Sequence, residues 1–299
     1  MDIFLTRLFA GMTAGSIYAM IALTLVIVFR SSATINFAQG EFALFTTYVS
    51  WWLTERGWNI WVTLIPAVVI GFVLCAAAER FLVRPVRRRD EAAVLIVGLA
   101  LFTGLNGLSG TIWGSDDKVY PRLVPVSVDS FLEIAGARLF YDSLFVMGAL
   151  VVVVGGLTLL MSRTNLGLQM RAVATNQESA GLCGIKVGRV FMISWGLAGA
   201  IGAVAAAILV PILPPGQLGL PGMFHMLIFG TVAAILGGLD SIKGAVVGGL
   251  SLGVGLAMIN GYGSGLGGSI SLTVALVVVV AVLGLRPSGL FGSKRLERV

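Results

Sequence analysis

The sequence predicts an all-α polytopic membrane protein, a bundle of eight or nine transmembrane helices with a short cytoplasmic helix between two of them. Three observations carry this. Hydrophobic residues make up 57% of the 299 and charged ones 11%, with mean hydropathy +0.98, whereas soluble domains carry about 25% charged residues. Apolar runs long enough to cross ~30 Å of hydrocarbon recur along the chain. The basic residues gather in short loops beside those runs, where they orient helices. The net charge of +6 therefore points to a membrane and not to nucleic acid.

The runs are 8–29, 60–83, 92–113, 143–161, 190–213, 226–239, 245–260 and 269–285. The first exceeds a signal-peptide core of roughly 7–15 residues, so it reads as a retained helix. A shorter, more polar candidate is 33–53. If it crosses fully there are nine spans and the N-terminus is outside. If it re-enters from the outer side there are eight crossings and the N-terminus is inside. Arg7 and Arg30 are too evenly matched to decide.

Arg80, Arg84, Arg87, Arg88 and Arg89 follow the 60–83 run and mark an inner loop. The next loop, 114–142, carries Asp116, Asp117, Asp129, Glu133 and Asp142 and reads as external. A polar island at 162–189, with Arg163, Arg171, Lys186 and Arg189, is then cytoplasmic. Pro211, Pro214, Pro215 and Pro221 break the helical pattern in an outer loop. The tail with Lys294, Arg295 and Arg298 lies inside, so the C-terminus is cytoplasmic. In the nine-span arrangement inner loops hold 15 of the 20 basic residues.

Glycine is unusually frequent, 40 of 299 residues, near twice the usual ~7%. Gly104, Gly107, Gly110 and Gly114 share one helical face, and Gly244/Gly248 and Gly249/Gly253 are GxxxG pairs. Both patterns predict close helix packing. Cys75 and Cys183 stand in different environments with no CxxC or Cys/His cluster, so neither a disulfide framework nor a metal site is expected. No Ser/His/Asp set, paired catalytic carboxylates or GxxxxGK[ST] loop is present, and no cofactor is expected. His225 reads as a solitary interfacial residue.

The island itself, SRTNLGLQMRAVATNQESAGLCGIKVGR, carries helix signals of its own. Thr175-Asn-Gln-Glu178 is a capping box, and Gly184 suits the left-handed residue that ends a helix. About eight residues lie between them, a helix of roughly 12 Å at 1.5 Å per residue. Residues 166–174 can form another short helix before it. On physics alone, an ordinary surface connection competes with a contact site for a soluble partner.

The RAVATNQESAGLCGI stretch resembles the cytoplasmic loop by which membrane subunits of bacterial ABC importers dock on their ATPases. The matching residues are Arg171, Ala172, Asn176, Ala180, Gly184 and Ile185, and with Glu178 they are the candidate partner-binding residues. The form is similar to permeases for branched-chain and other hydrophobic amino acids. SIYAMIALTLVIVFRSSATINFAQGEF resembles that family's N-terminal signature, with an N-x-A-x-G-E/D-type motif at Asn36, Ala38, Gly40 and Glu41. Gln39 stands where many relatives carry His, which keeps hydrogen bonding and removes a titrating group. LGGLDSIKGAVVGG and LRPSGLFG match in style, so the resemblance covers most of the chain.

The resemblance implies one permease domain over 1–299 in a bacterial plasma (inner) membrane, with the short cytoplasmic helix as a coupling helix within 162–189. Its implied partners are ABC ATPase subunits, a second permease subunit, identical or related, and an external substrate-binding protein. Small residues such as Ala180 and Gly184 would permit close docking, and Arg171 would offer donors. The cargo implied is a hydrophobic amino acid, with urea or short amides carried by close relatives. A stand-alone secondary transporter or channel would need intramembrane ionisable residues, and few are present.

Asn36, Gln39, Gly40 and Glu41 are candidate substrate-pathway residues on physical grounds as well. A charge deep in the bilayer costs about 2.5–3.5 kcal/mol on insertion scales, so Glu41 must face protein, water or the interface. A helix that starts within the membrane also exposes N–H groups able to meet a substrate carboxylate. The competing role for these residues is capping and hydrogen bonding to neighbouring helices.

Overall fold

Each long apolar run becomes a helix, because only internal hydrogen bonding satisfies the backbone away from water. The computed structural model describes residues 2–87, 91–125, 131–212, 217–219, 222–262, 269–286 and 288–292. Arg88, Arg89, Asp129, Pro214, Pro215, Pro221 and the tail with Lys294, Arg295 and Arg298 lie outside the described residues. The helices are α1 (Asp2–Ser32), α2 (Gln39–Thr54), α3 (Ile60–Ala78), α4 (Arg84–Arg87), α5 (Glu91–Trp113), α6 (Tyr141–Arg163), α7 (Asn165–Thr175), α8 (Gln177–Leu182), α9 (Val187–Leu209), α10 (Gly222–Gly237), α11 (Ile242–Tyr262) and α12 (Ser269–Leu285). A π-helical stretch, Glu79–Val83, joins α3 to α4 without a break.

Among the described residues six helical stretches are long and apolar enough to cross a membrane: Ile3–Ser32, Ile60–Arg87, Ala93–Trp113, Tyr141–Arg163, Val187–Leu209 and Ile242–Tyr262. Met223–Gly237 and Thr273–Leu285 are shorter apolar helices. The 33–53 candidate is helical only from Gln39. Ala33 takes φ 55° and the chain stays non-helical to Ala38, leaving α2 about 24 Å long at 1.5 Å per residue.

The chain divides into two compact units. Met1–Val26, Val124–Val152 and Ile228–Val299 form the first. Here α1 and α11 touch through glycines: a Cβ on Gly15 would lie 2.8 Å from Leu250 Cα, and one on Gly249 2.5 Å from Ala19 Cα. Gly244 and Gly248 meet Gly237 and Ala233 of α10, so both GxxxG pairs are close-packing sites. The LRPSGLFG segment folds back on α10, with Leu290 N and Phe291 N donating to the Leu236 and Gly237 carbonyls at 2.9 Å. A hairpin of β2 (Phe131–Ile134) and β3 (Ala137–Phe140) turns at Ala135 and Gly136, both with positive φ.

Ile27–Leu123 and Val153–Leu227 form the second unit. Its centre is α3 against α9. A Cβ on Gly71 would stand 2.6 Å from the Gly199 carbonyl oxygen, so only glycine allows this approach. α2 packs on both and on α5. The last turns of α2 are tied by Ser50 to Thr63 (2.8 Å) and to Tyr120 (2.9 Å). β1 (Lys118–Val119) pairs antiparallel with β4 (Gln217–Leu218), and the Tyr48 hydroxyl donates to the Leu218 carbonyl at 3.4 Å.

One packing expectation is overturned. Gly104 and Gly107 of α5, and Gly114 just after its end, have no described atom within 4 Å of where a Cβ would be. No described residue covers the face that Gly104 and Gly107 share, and α5 meets α2 through the opposite side.

Candidate functional site: a helical knob and a polar seam

The 162–189 island folds as two capped helices. Thr164 opens α7, its Oγ1 accepting from Gly167 N at 3.1 Å. Asn176 closes α7 and opens α8: its backbone is extended (φ −157°, ψ 114°), and its Oδ1 accepts from Ser179 N at 2.8 Å. The capping box expected at Thr175 and Glu178 is therefore displaced by one residue. Thr175 is still helical and its hydroxyl donates back to the Arg171 carbonyl at 3.0 Å, which takes it out of capping geometry. α8 has six residues rather than about eight. Gly184 ends it at φ 82°. Ile185 N donates to the Ala180 carbonyl and Gly184 N to that of Gly181, both at 3.0 Å, the two bonds that close a helix at a left-handed glycine.

The knob is packed, not draped. Met170, Val173 and Ala180 are buried, and Gly167 lies against the backbone of Leu160 and Met161. Arg171 Nη1 donates to the Met161 carbonyl, so this expected partner contact spends a donor on its own chain. Ala172 and Ile185 are half-buried; Asn176, Glu178 and Gly184 are exposed. Ala180 is only 5% exposed. Its small size serves packing within the knob. The residue that reaches out is Leu182, 86% exposed. Sequence reasoning passed over it because a leucine in a polar segment reads as buried. Cys183 is exposed and Cys75 buried. One maleimide per folded chain is expected, against two after unfolding, as intact-mass measurement will show.

Directly after the knob, the start of α9 is held by a buried ion cluster. Glu79 is fully buried. Arg84 Nη2 donates to its Oε2 at 2.5 Å and Arg84 Nε lies 3.2 Å from both oxygens. Arg87 Nη2 reaches Oε1 at 3.5 Å, with its guanidinium 3.9 Å over the Phe191 ring. Arg84 Nη2 also donates to the Gly188 carbonyl in the first turn of α9. Glu79 and Arg84 are five apart, which ordinary α-helical winding would put on different faces. The π-helical stretch, with its i→i+5 bonds, brings them together. Sequence reading took these arginines as orientation signals alone; the acid five and eight residues before them was the signal available.

The second constellation lies along α2. Asn36 Oδ1 accepts from Ala38 N at 3.1 Å, and its Nδ2 donates to Gln39 Oε1 at 3.1 Å. Gln39 Nε2 donates to the Ala198 carbonyl at 3.0 Å. Gly40 faces α10, where a Cβ would lie 3.4 Å from the Met223 carbonyl. Asn36 and Gln39 thus fasten the start of α2 to itself and to α9. Glu41 differs. Its Oε2 accepts from Asn106 Nδ2 at 3.0 Å, while Oε1 has no hydrogen-bond partner among the described residues. α2 and α5 run side by side in the same direction, since Glu41 meets Asn106 and Tyr48 stacks on Trp113 with ring centroids 5.2 Å apart. Asn106 is fifteen residues into α5 and Ala198 eleven into α9, about 22 Å and 17 Å along them. α2 therefore begins partway along its neighbours, not at their ends. Asn106, Ser109 and Trp113 were not singled out from sequence, because a few polar residues in an apolar helix give no sign of which face they share.

Long apolar helices, close glycine contacts and a buried polar seam define a multi-pass helical membrane protein. Residues 7–283 match the family described as branched-chain amino acid transport system, permease component, and the chain belongs to that family. It is 30% identical to the high-affinity branched-chain amino acid transport system permease protein LivH of Salmonella typhimurium, over 99% of this chain and 98% of that one. The corresponding permease protein BraD of Pseudomonas aeruginosa is 30% identical over the same shares. In the structure titled PsaBC from Streptococcus pneumoniae in complex with Fab, the matched chain is 14% identical with TM-score 0.48, covering 96% of this chain and 91% of that one.

Proposed function

We propose that this chain is the membrane-spanning permease subunit of an ATP-driven ABC importer in a bacterial plasma membrane, and that it passes branched-chain or other hydrophobic amino acids. One permease domain occupies the whole chain, a reading supported by a single family match over 7–283. The observation that carries the proposal is the knob: two short helices, capped at each end and presenting Leu182. An ordinary connector does not need this construction. ATPase subunits grip the knob from the cytoplasm, a second permease subunit completes the path, and an external binding protein delivers cargo. The chain itself does no covalent chemistry.

The geometry supports a route for the force. Movement of the knob pulls on the start of α9, which Arg84 ties to Glu79. α9 and α3 then move together through the Gly71–Gly199 contact. This is how two packed elements shift as a body and switch a bundle between inward- and outward-open arrangements. Nine crossings, with the N-terminus outside and the C-terminus inside, fit best. α10 and α12 add to the six long spans, and the non-helical 33–38 segment with α2 makes the ninth. Val28 of α1 shares an apolar cluster with Ala78 and Val83, at the inner end of the α3 span, so α1 descends and α2 climbs. Urea or short amides, and stand-alone transport, are the less favoured readings.

Changing Leu182 to Asp in the full complex is expected to cut ATP-driven leucine uptake in proteoliposomes by about 30-fold, the effect of losing one hot-spot contact of ~2 kcal/mol. ATPase subunits should no longer co-purify, while the permease inserts normally. Unchanged co-purification would remove the knob from the partner interface. Uptake by the permease without ATPases would favour stand-alone transport.

A further inference from the structure

We propose that the α2–α5 seam is a transient subsite for the cargo, in which Glu41 Oε1 takes the α-ammonium of a hydrophobic amino acid, Ser109 Oγ donates to its α-carboxylate, and Phe45, Tyr48 and Trp113 receive its side chain. This rests on the permease reading above and adds the chemistry of recognition. Three buried polar atoms along this seam have no hydrogen-bond partner among the described residues: Glu41 Oε1, Ser109 Oγ and Trp113 Nε1. Glu41 is 1% exposed and Ser109 fully buried. Buried polar atoms are almost always satisfied, so orphans gathered along one helix pair need an explanation.

Their arrangement supplies it. Glu41, Phe45 and Tyr48 follow i, i+4, i+7 along α2, and Asn106, Ser109 and Trp113 follow i, i+3, i+7 along α5. Each set lies on one helical face. The two faces meet at Glu41–Asn106 (3.0 Å), at Phe45–Trp113 (5.1 Å, edge-on) and at Tyr48–Trp113 (5.2 Å, stacked). Because the helices run parallel, Ser109 and Phe45 both lie one turn beyond the carboxylate in the same direction. An anion, then a hydroxyl, then aromatic faces follow within about 10 Å at 1.5 Å per residue. That order complements ammonium, carboxylate and apolar side chain. Among the described residues Glu41 is in no ion pair, so it is an acceptor without its cation. A buried carboxylate of this kind is costly unless paired, and in a membrane protein such a group marks a pathway. The seam is closed here and admits cargo only as α2 and α5 part. On its other side, at Gly104 and Gly107, no described residue packs against α5.

The test uses the full transporter with its ATPases and binding protein in proteoliposomes. Glu41→Gln keeps the shape and the Asn106 contact but removes the charge. It is expected to lower leucine uptake about 10- to 100-fold, the loss of one charge-assisted hydrogen bond, and Glu41→Asp should recover part of it. Photo-leucine should label peptides spanning 41–48 or 106–113. Excess leucine should block that labelling, and the α-hydroxy acid of the same skeleton, which lacks the ammonium, should not. Uptake by Glu41→Gln within twofold of the unaltered protein, equal defects in Gln and Asp variants, or labelling that the hydroxy acid blocks equally well would each overturn the subsite. No leucine uptake by the unaltered complex would instead overturn the amino-acid reading, and this subsite with it.

Discussion

Replacing Gly199 by valine is expected to lower the melting midpoint of the protein more than any other single change at a helix contact. A Cβ on Gly199 would run into the Gly71 carbonyl and come within 2.7 Å of Cys75 Sγ. A side chain in the way can rotate; a peptide carbonyl cannot, so α3 and α9 must separate. Overpacking costs about 1–3 kcal/mol where side chains yield, and more where they do not. Separation also pulls on what depends on α9: the Gln39–Ala198 bond at 3.0 Å and the Arg84–Gly188 bond. We expect at least ~3 kcal/mol, a fall of roughly 5–10 °C in melting midpoint in detergent for a protein of this size. Gly107→Ala is the control. No described atom lies near its Cβ position, and alanine gains up to ~1 kcal/mol over glycine inside a helix. Its midpoint should equal or slightly exceed that of the unaltered chain. A Gly199→Val protein that melts with the parent would mean that the two helices do not cross at these glycines.

The same glycines show what is legible in a sequence of this kind. The 245–260 run and its GxxxG pairs became α11 packed through Gly248, Gly249 and Gly253, because a four-residue small-residue spacing has one geometric use. Gly104, Gly107 and Gly114 have equal periodicity and meet no described residue, because periodicity names a face without naming what covers it. Helix existence was readable wherever the apolar run was long. The start of α2 was not, since Ala33 takes a positive φ without a glycine to announce it, and Gln39 is fastened to α9 by a bond to Ala198, 159 residues away. In the knob, Gly184 was readable because a left-handed helix end has a strong residue preference. Thr175 was misread because two adjacent residues, Thr and Asn, both cap well, and only backbone geometry decides between them. Among the four candidate pathway residues, chemistry alone could not separate Asn36 and Gln39, whose polar groups the fold consumes, from Glu41, which retains an unsatisfied oxygen.

Removing the Glu79 carboxylate is the second large effect, and it separates stability from transmission. Glu79→Ala leaves Arg84 and Arg87 facing each other without their anion. Breaking a buried pair costs ~3–5 kcal/mol; the arginine side chains retain 24% and 15% exposure, so the lower end is expected, about 3 kcal/mol. The π-helical stretch should relax as well, since the five-residue spacing has no other reason to be held on one face. Replacing a whole buried pair by apolar side chains is often neutral or stabilising. Glu79→Met with Arg84→Met should therefore recover most of the melting midpoint, with Arg87 keeping its stack on Phe191. It should not recover function, because Gly188 loses the donor that fastens α9 to the inner end of α3. The expected signature in proteoliposomes is ATP hydrolysis that persists while uptake per ATP falls at least ~10-fold, the effect of losing one charge-assisted contact. If the double variant transports as efficiently as it folds, the cluster only holds the helices together, and the force from the knob must reach α3 through the glycine contact alone.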